Sequence, residues 1–580
     1  MSDQYAARGV DIPYPDFRTM VNAPAIAFDM ETTGLHAVNS SPIGFSFTDS
    51  ENYAYYADID NQFLKDLMSK PDLLLIAHNA SFDRTHAKHL GLELDNWFCT
   101  MVAAHLLWEQ PLDLKYLAYK HTDTTVQSYS DLGGKLHNLS FAEQADYSCP
   151  DAMGAYALYE IFSKMLAQYG MEHVFYDLEM PLLPVLSDME YNGAQLDISL
   201  LEQLGIEFDD QIETLHNALR AATGHPDTNF NSPMQAGPIF YNELGVPENW
   251  AKNKDGAPSF EGKWLKQFKD RIPLLQLYLS FKEYQKLKGT YVDGLLTKMF
   301  DGRIYGRFNQ ARASTGRLSS SDPNLQNIPN RTEIGRRIRQ AFIPRPGCVL
   351  IKADAEQLEL KGAAMKSGDV ALLDAFRNNR DIHLETAMRM YNDAKRRAEG
   401  KTGNFKIIYG GGTKQERELL IKAYPGYFAW RDNVLKEIRS NCYAKTHYGR
   451  IKRFFEYKYG TAYEQREADK EAISVLIQGS SAEWVKAGMI ETWRAIRNSP
   501  VKMILQVHDE VVFEVPYHYI MDTIDIIREK MTYRELELPI TYSVGIGNNW
   551  ASCKEFYKNS EFVDDYRDII TKAIAEKAGV

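Results

Sequence analysis

Ile504 to Val515 reads ILQVHDEVVFEV, and no other stretch narrows the fold of this chain so far. Apolar residues lead up to His508-Asp509-Glu510, and Val511, Phe513 and Val515 alternate after it. This is a hairpin pattern, two strands with adjacent carboxylates at the tip. A strand tip is rigid, so whatever its carboxylates hold is held accurately. Alone, the motif is an ordinary solvated turn, where Asp and Glu are common. It becomes a site only if other parts of the chain bring partners to it.

A chain of 580 residues has room for three or four domains. Its hydrophobic content of 44% and charge of 25% fit a globular protein with real cores. No apolar run approaches the roughly 18 residues of a membrane span. The N-terminus, MSDQYAARGVDIPYPDF, has neither a signal-peptide core nor a transit-peptide pattern. Cys99, Cys149, Cys348, Cys442 and Cys553 are scattered without a CxxC pair. That argues for a reducing, cytoplasmic setting and against zinc or a disulfide framework. A net charge of -12 excludes a uniformly basic coat, but local basic patches can still steer an anionic ligand.

Ala25 to Gly34 (AIAFDMETTG) begins as a buried strand and ends in a turn. Two residues apart on a strand, Asp29 and Glu31 share a face. Leu73–Ala77 reads as a second strand, followed by a helix-like stretch carrying Asp83. A third acidic position comes at Tyr147-Ser148-Cys149-Pro150-Asp151, where Pro150 is expected to open a helix. Acids on three separate elements suit a pair of hard divalent cations. Two such ions about 4 Å apart activate a water and stabilise the leaving oxygen of a phosphodiester. Tyr147 is placed to orient that water.

The motifs FDMETTG, HNASFDRTHAKHLG and YSCPD resemble those of the DEDDy 3′–5′ exonucleases. The resemblance implies a ribonuclease-H-like α/β fold, metal ligands Asp29, Glu31, Asp83 and Asp151, and Tyr147 as the water-orienting residue. All motif positions are intact, which implies an active nuclease.

From Phe175 the pattern turns helical and stops at Asn192-Gly193. Leu200–Ala222 reads as a second helix, closed by Gly224. A connection rich in Pro, Gly and Asn follows, with Lys254-Asp255-Gly256 in it. Leu274–Met299 is helical again, and Lys282, Lys286 and Lys288 are candidate phosphate contacts. Between Arg303 and Arg345 nine arginines (303, 307, 312, 317, 331, 336, 337, 339 and 345) meet only Asp322 and Glu333, a net of +7. Such asymmetry points to a phosphate-backbone contact. Thr315 to Pro329 (TGRLSSSDPNLQNIP) offers Arg, Asn and Gln donors to minor-groove acceptors, which sense pairing geometry rather than sequence.

Cys348 to Asp354 reads as a strand ending at an acid. With Asp509 it makes a second carboxylate pair on two strand ends, suited to two magnesium ions. Arg397, Lys401, Phe405 and Tyr409 are four residues apart. On a helix each step drifts by about 40°, so all four share one face over roughly 18 Å. Two cations followed by two rings match a nucleoside triphosphate laid along the helix. Gly400 and Gly403 weaken it as a purely structural helix, and Gly410-Gly411-Gly412 ends it.

These stretches resemble family A DNA polymerases of the DNA polymerase I type. Asp354 to Glu359 resembles motif A, Arg397 to Tyr409 motif B, and Val507 to Glu510 motif C. With the exonuclease motifs, the resemblance covers nearly the whole chain. It implies an α/β multidomain fold, an exonuclease domain followed by a right-hand polymerase with an antiparallel palm and helical fingers and thumb. The implied limits are 1–178 for the exonuclease, 179–300 for the thumb and start of the palm, 301–370 and 463–580 for the palm, and 371–462 for the fingers.

The resemblance also implies roles. Asp354, Asp509 and the backbone carbonyl of Ala355 bind the metals. Two magnesium ions per site are implied, with manganese able to substitute. Arg397, Lys401 and His383 contact the triphosphate, and Lys401 protonates the leaving pyrophosphate. Phe405, Tyr409 and Gln357 contact the nucleotide, and Glu359 excludes a ribose 2′-hydroxyl. Arg317, Gln478, His508 and Asn327 contact DNA, and Glu510 is a supporting acid. The implied partners are primer-template DNA and deoxynucleoside triphosphates, with no membrane and a monomeric state. Helicase or single-strand-binding partners are not readable. Four departures stand out. Ala355-Glu356 replaces Tyr-Ser, and Lys406 replaces a Gly after Phe405. Lys470 stands where Arg is common, and Ser474 where Asn is common.

The expectation is a DNA-templated DNA polymerase with 3′–5′ proofreading, working by two-metal phosphoryl transfer at both sites. The chain starts close to the exonuclease strand, leaving no room for a 5′ nuclease before it. The middle segment is too short for a large processivity-factor insertion. Both features suggest a phage or organelle replicase, hence phage-like, with a bacterial repair enzyme as the alternative. One rival is a single-subunit RNA polymerase, disfavoured by Glu359 and the editing domain. The other is a DNA-binding scaffold with dead centres, disfavoured by intact acids at both sites.

Overall fold

The computed structural model describes residues 5–9, 17–122, 136–247, 262–330, 332–409, 411–558, 561–562 and 571. Arg331, Gly410, residues 254–256 and the side chain of Tyr409 fall outside what is described. Among the described residues no helix is long and apolar enough to cross a membrane.

The N-terminal region is built on a six-stranded mixed sheet. Its order is Tyr5–Gly9, Tyr53–Asp58, Pro42–Thr48, Ala25–Thr32, Leu74–Ala77 and Trp97–Cys99. The first four strands pair antiparallel and the last three parallel. Ala25 to Phe28 are all buried, the continuous apolar run of a strand covered on both faces. Helix Phe141–Gln168 packs across this sheet. Pro150 does not open that helix but lies inside it. The opening is set by a capping box, Ser140 accepting from Glu143 N–H while Glu143 accepts from Ser140 N–H. Tyr147 and Asp151 therefore sit one turn apart on one helix face.

Helix Met180–Asn192 carries the chain out of this region, and one apolar core runs from the first sheet past that helix into a second sheet. The second sheet is antiparallel, in the order Lys502–Val507, Glu510–Pro516, Cys348–Ala355, Tyr542–Gly547, Lys554–Lys558 and Glu561–Phe562. The expected hairpin is present, and its two-residue connection is His508-Asp509, with His508 in the left-handed region at φ 62°. Glu510 is therefore not at the tip. It is the first residue of the second strand, opposite Asp354 in the centre of the sheet.

Helices Ile198–Thr223 and Pro273–Lys286 pack together around Leu219, Phe230, Phe240, Tyr278 and Phe281. Five helices between Val370 and Asn441 close a separate apolar core that also takes in Ala468, Ala472 and Ile473. Gly400 and Gly403 have a packing role here. A Cβ on Gly400 would lie 2.1 Å from the His383 carbonyl, and one on Gly403 3.0 Å from the Met390 sulfur. They let the basic helix Arg397–Tyr409 press against helix Ile382–Tyr391.

Candidate active sites

Asp29 and Glu31 stand on strand Ala25–Thr32, Asp83 on helix Ala80–Ala87, and Tyr147 and Asp151 on the long helix. The four carboxyls form one electrostatic group. Burial pushes Asp29 up to about 6, with Lys115 pulling it back down. Glu31, Asp83 and Asp151 are raised well above the carboxylate range, first by burial and then by the charge of Asp29. Asp83 Oδ1 accepts the backbone N–H of Met30 at 3.0 Å, which ties helix to strand. Lys115 also stands 5.0 Å over the Tyr147 ring. Glu31 Oε1 and Asp151 Oδ1 are buried without a hydrogen-bond partner. Among the described residues no three His, Cys, Asp or Glu side chains converge as a finished metal cage. The donor set is nonetheless all oxygen, crowded and short of positive charge, which fits a hard divalent cation.

The second site lies on the second sheet. Ala355 N–H donates to the Asp509 carbonyl at 3.1 Å, so the end of the central strand is pinned to the hairpin tip. The Asp354 carboxyl is pushed up to about 7 by burial, then by Asp509 and Glu510, against the pull of Lys352. Asp509 is raised as well, chiefly by burial. Glu510 is already engaged with protein. Trp550 Nε1–H donates to it at 2.6 Å, Lys352 lies 3.4 Å away and Arg339 3.8 Å away. All three carboxyls line a cleft, and Glu510 is the one whose oxygens the protein itself already engages.

Sequence reasoning missed the parts that fix this tip. Gln506 Nε2 donates to the His508 carbonyl, and Gln326 Nε2 donates to Gln506 Oε1 at 2.8 Å. A glutamine in an otherwise apolar strand was the available signal. Arg339, buried, stacks 3.9 Å over Trp550 and donates to the Ile328 carbonyl at 2.9 Å.

A cleft of about 710 Å³ is lined by Asp354, Ala355, Gln357, His383, Arg397 and Lys401, six of the expected site residues. Asp381 caps helix Ile382–Tyr391 and accepts from Arg397 Nε at 2.6 Å. The Asn404 amide donates to His383 Nδ1 at 2.7 Å and so sets that ring. Neither Asp381 nor Asn404 was expected as a site residue. Phe405 is half exposed on the same helix. Glu356 also lines this cleft and accepts from the Thr541 hydroxyl at 2.6 Å. Lys406 reaches away from the face and pairs with Glu416 at 2.6 Å.

A larger cleft, about 1290 Å³, runs from Asp354, His508 and Asp509 past Asn327 to Lys282 and Lys286. The two clefts meet at Asp354. Lys288 is not available to it, being paired with Asp293 at 2.9 Å and Asp209 at 3.3 Å. Arg317 and Glu359 form an ion pair with each other, and Gln478 is buried on the wide turn Val475–Gly479.

The arginine patch is not the continuous phosphate surface that its charge suggests. Arg303 and Arg345 pair with the buried Glu514, Arg337 with Glu207 at 2.7 Å, and Arg317 with Glu359. Arg307 donates to the Leu35 carbonyl. The partners are acids far away in the sequence, so a local charge count could not see them.

Residues 198–552 match the family described as DNA polymerase family A. The chain belongs to DNA polymerase family A. Residues 17–167 match the family described as 3′–5′ exonuclease. The chain is 34% identical to DNA polymerase I of Chloroflexus aurantiacus, over 91% of this chain and 61% of that one. It is 35% identical to the thermostable DNA polymerase I of Thermus filiformis, over 66% of this chain and 48% of that one. It thus spans about three fifths, or less, of the length of these curated relatives. A solved structure described as the POL domain of Pol1 from M. smegmatis, in complex with DNA primer-template and dNTP, superimposes with a TM-score of 0.82. It is 27% identical, and the match covers 91% of this chain and 96% of that one. Fold and family thus agree with the resemblance read from the motifs. The relatives are bacterial, and nothing in them supports the phage reading.

Proposed function

We propose that the chain is a DNA-templated DNA polymerase with a proofreading 3′–5′ exonuclease, acting in replication. Its substrates are primer-template DNA and deoxynucleoside triphosphates, and it works as a cytoplasmic monomer. The domain limits expected from sequence, 1–178, 179–300, 301–370, 371–462 and 463–580, are part of this proposal. The observation that carries it is the meeting of the two clefts at Asp354, one lined by His383, Arg397 and Lys401 and a larger one running to Lys282 and Lys286. A triphosphate fits the first and a duplex the second.

On the polymerase side, Asp354, Asp509 and the Ala355 carbonyl hold the metals, and Asp381 and Asn404 aim Arg397 and His383 at the triphosphate. Lys401 gives a proton to the departing pyrophosphate. Phe405 and Tyr409 contact the incoming nucleotide, as does Gln357 in the cleft. Glu359 fills the space a 2′-hydroxyl would need. Arg317, Gln478, Asn327 and His508 hold the primer end. On the editing side, Asp29, Glu31, Asp83 and Asp151 hold the metals and Tyr147 orients the attacking water. Magnesium bound at either site supplies Lewis-acid stabilisation of the phosphoryl oxygens and a more nucleophilic attacking oxygen.

A labelled primer-template incubated with magnesium tests this directly. With dNTPs the primer lengthens, and without them it shortens from its 3′ end. Preference for ribonucleotides would favour the RNA polymerase rival, and no reaction in either condition would favour the scaffold.

A further inference from the structure

Arg453 belongs to the hairpin Tyr443–Lys445/Ile451–Arg453, which follows the last long helix of the fingers. Its guanidinium does not rest on its own domain. It lies 3.9 Å over the ring of Trp108 and 5.1 Å over the ring of Tyr169, and these rings meet edge to face at 5.3 Å. Trp108 Nε1–H also donates to the Ile451 carbonyl at 2.7 Å. Both rings come from the exonuclease region. Trp108 follows helix Thr100–Leu106, whose Thr100 hydroxyl is bonded to His78 at 2.9 Å, beside the Asp83 motif. Tyr169 caps the helix that carries Tyr147 and Asp151. Trp108 takes a left-handed backbone, φ 63°, a conformation bulky residues avoid unless their surroundings fix it.

The loop of the same hairpin backs the residues assigned to the primer end. A Cβ on Gly316 would lie 2.5 Å from Arg450 Nε, and one on Gly479 would lie 2.8 Å from the Thr446 methyl and 3.0 Å from the Thr315 carbonyl. Gly316 precedes Arg317 and Gly479 follows Gln478, and neither has room to shift toward the hairpin. Arg450 is fixed in turn by the buried Glu179 at 2.5 Å. The hairpin is therefore gripped on one side by the exonuclease region, and on the other it forms the wall behind both primer-reading side chains.

We propose that Arg453, caged by Trp108 and Tyr169, is a positioning latch through which the exonuclease domain sets the grip of Arg317 and Gln478 on the primer end, and so the partition of that end between synthesis and editing. This rests on the function proposed above. Neither Arg453 nor Trp108 touches the reacting atoms. Opening the cage loosens the wall and sends more matched primer ends to the editing site.

The test compares wild type with Trp108→Ala, Arg453→Ala, the double variant and Trp108→Phe, all full-length and with magnesium. Three rates are read: hydrolysis of a single-stranded oligonucleotide, extension of a matched primer, and conversion of dNTP to dNMP at a matched end. Single-strand hydrolysis should stay within about twofold of wild type, while dNMP formed per nucleotide incorporated rises about fivefold in either alanine variant. The double variant should be no worse than the singles, because both break one contact. Trp108→Phe keeps a ring under the guanidinium but loses the N–H bond, and should fall between. If Trp108→Ala unfolds, the ratio is read from Arg453→Gln and Trp108→Phe. An unchanged ratio, additive effects, or an equal fall in all three rates overturns the latch. A wild type that neither extends nor trims overturns the proposed function instead.

Discussion

The two carboxylate sites use the same side chains in opposite electrostatic settings. In the exonuclease site four acids crowd together, Asp83 and Asp151 buried and Asp29 and Glu31 half-buried, and Lys115 is the cation that opposes Asp29 and Asp151. In the second site Asp354, Asp509 and Glu510 line one cleft, and Glu510 is engaged by Trp550, Lys352 and Arg339. The first arrangement is incomplete without added positive charge. The second is partly balanced by the protein itself, so its strands keep their register before any substrate arrives.

The largest effect that separates the sites is expected on the basic helix. Lys401→Ala should slow extension by about 100- to 1000-fold, the range for a lost general acid that also holds charge. Trimming of a single strand should be untouched, because Lys401 lines the cleft at Asp354 and not the group of Asp29, Glu31, Asp83 and Asp151.

Next comes a contrast in sign. Glu510→Gln strips the partner from Lys352 and Arg339, so it should lower unfolding stability by about 3 kcal/mol. Glu31→Gln relieves repulsion among the crowded acids, so without metal at pH 8 it should raise stability by about 1 kcal/mol. Denaturant titration of the metal-free protein reads both. Equal signs would break the comparison.

The smallest effect is a pH trend. Asp29 is raised to about 6 and Asp354 to about 7, so the folded state favours their protonated forms. That contribution is fully present below the ordinary carboxylate range and is lost as pH rises through 6 and then 7. Magnesium should therefore raise the melting temperature by a few degrees at pH 8 and by about none at pH 5. Scanning calorimetry with and without the ion checks this.

Much of both sites is legible in the sequence because their residues sit on local patterns. The DxE spacing fixes one strand face, and the four-residue spacing from Arg397 fixes one helix face. The hairpin shows in its alternation. What stayed hidden depends on distant residues or on competition between local rules. Pro150 looks like a helix opener, yet Ser140 and Glu143, ten and seven residues earlier, cap the helix more strongly. The arginines look free because Glu207 and Glu514 lie more than a hundred residues away. Gly400 and Gly403 look like helix weaknesses until the neighbouring helix is seen against them. Asp381, Asn404 and Gln506 position site residues through contacts that only the folded chain makes.

The claim that two separate carboxylate sites carry two separate reactions is tested most directly by crossing them. Asp509→Ala and the double variant Asp29→Ala with Glu31→Ala are each given a labelled primer-template and magnesium, with and without dNTPs. Asp509→Ala should lose extension and still trim, and the double variant should extend and no longer trim. Loss of both reactions in either variant, or extension that survives Asp509→Ala, would contradict the account.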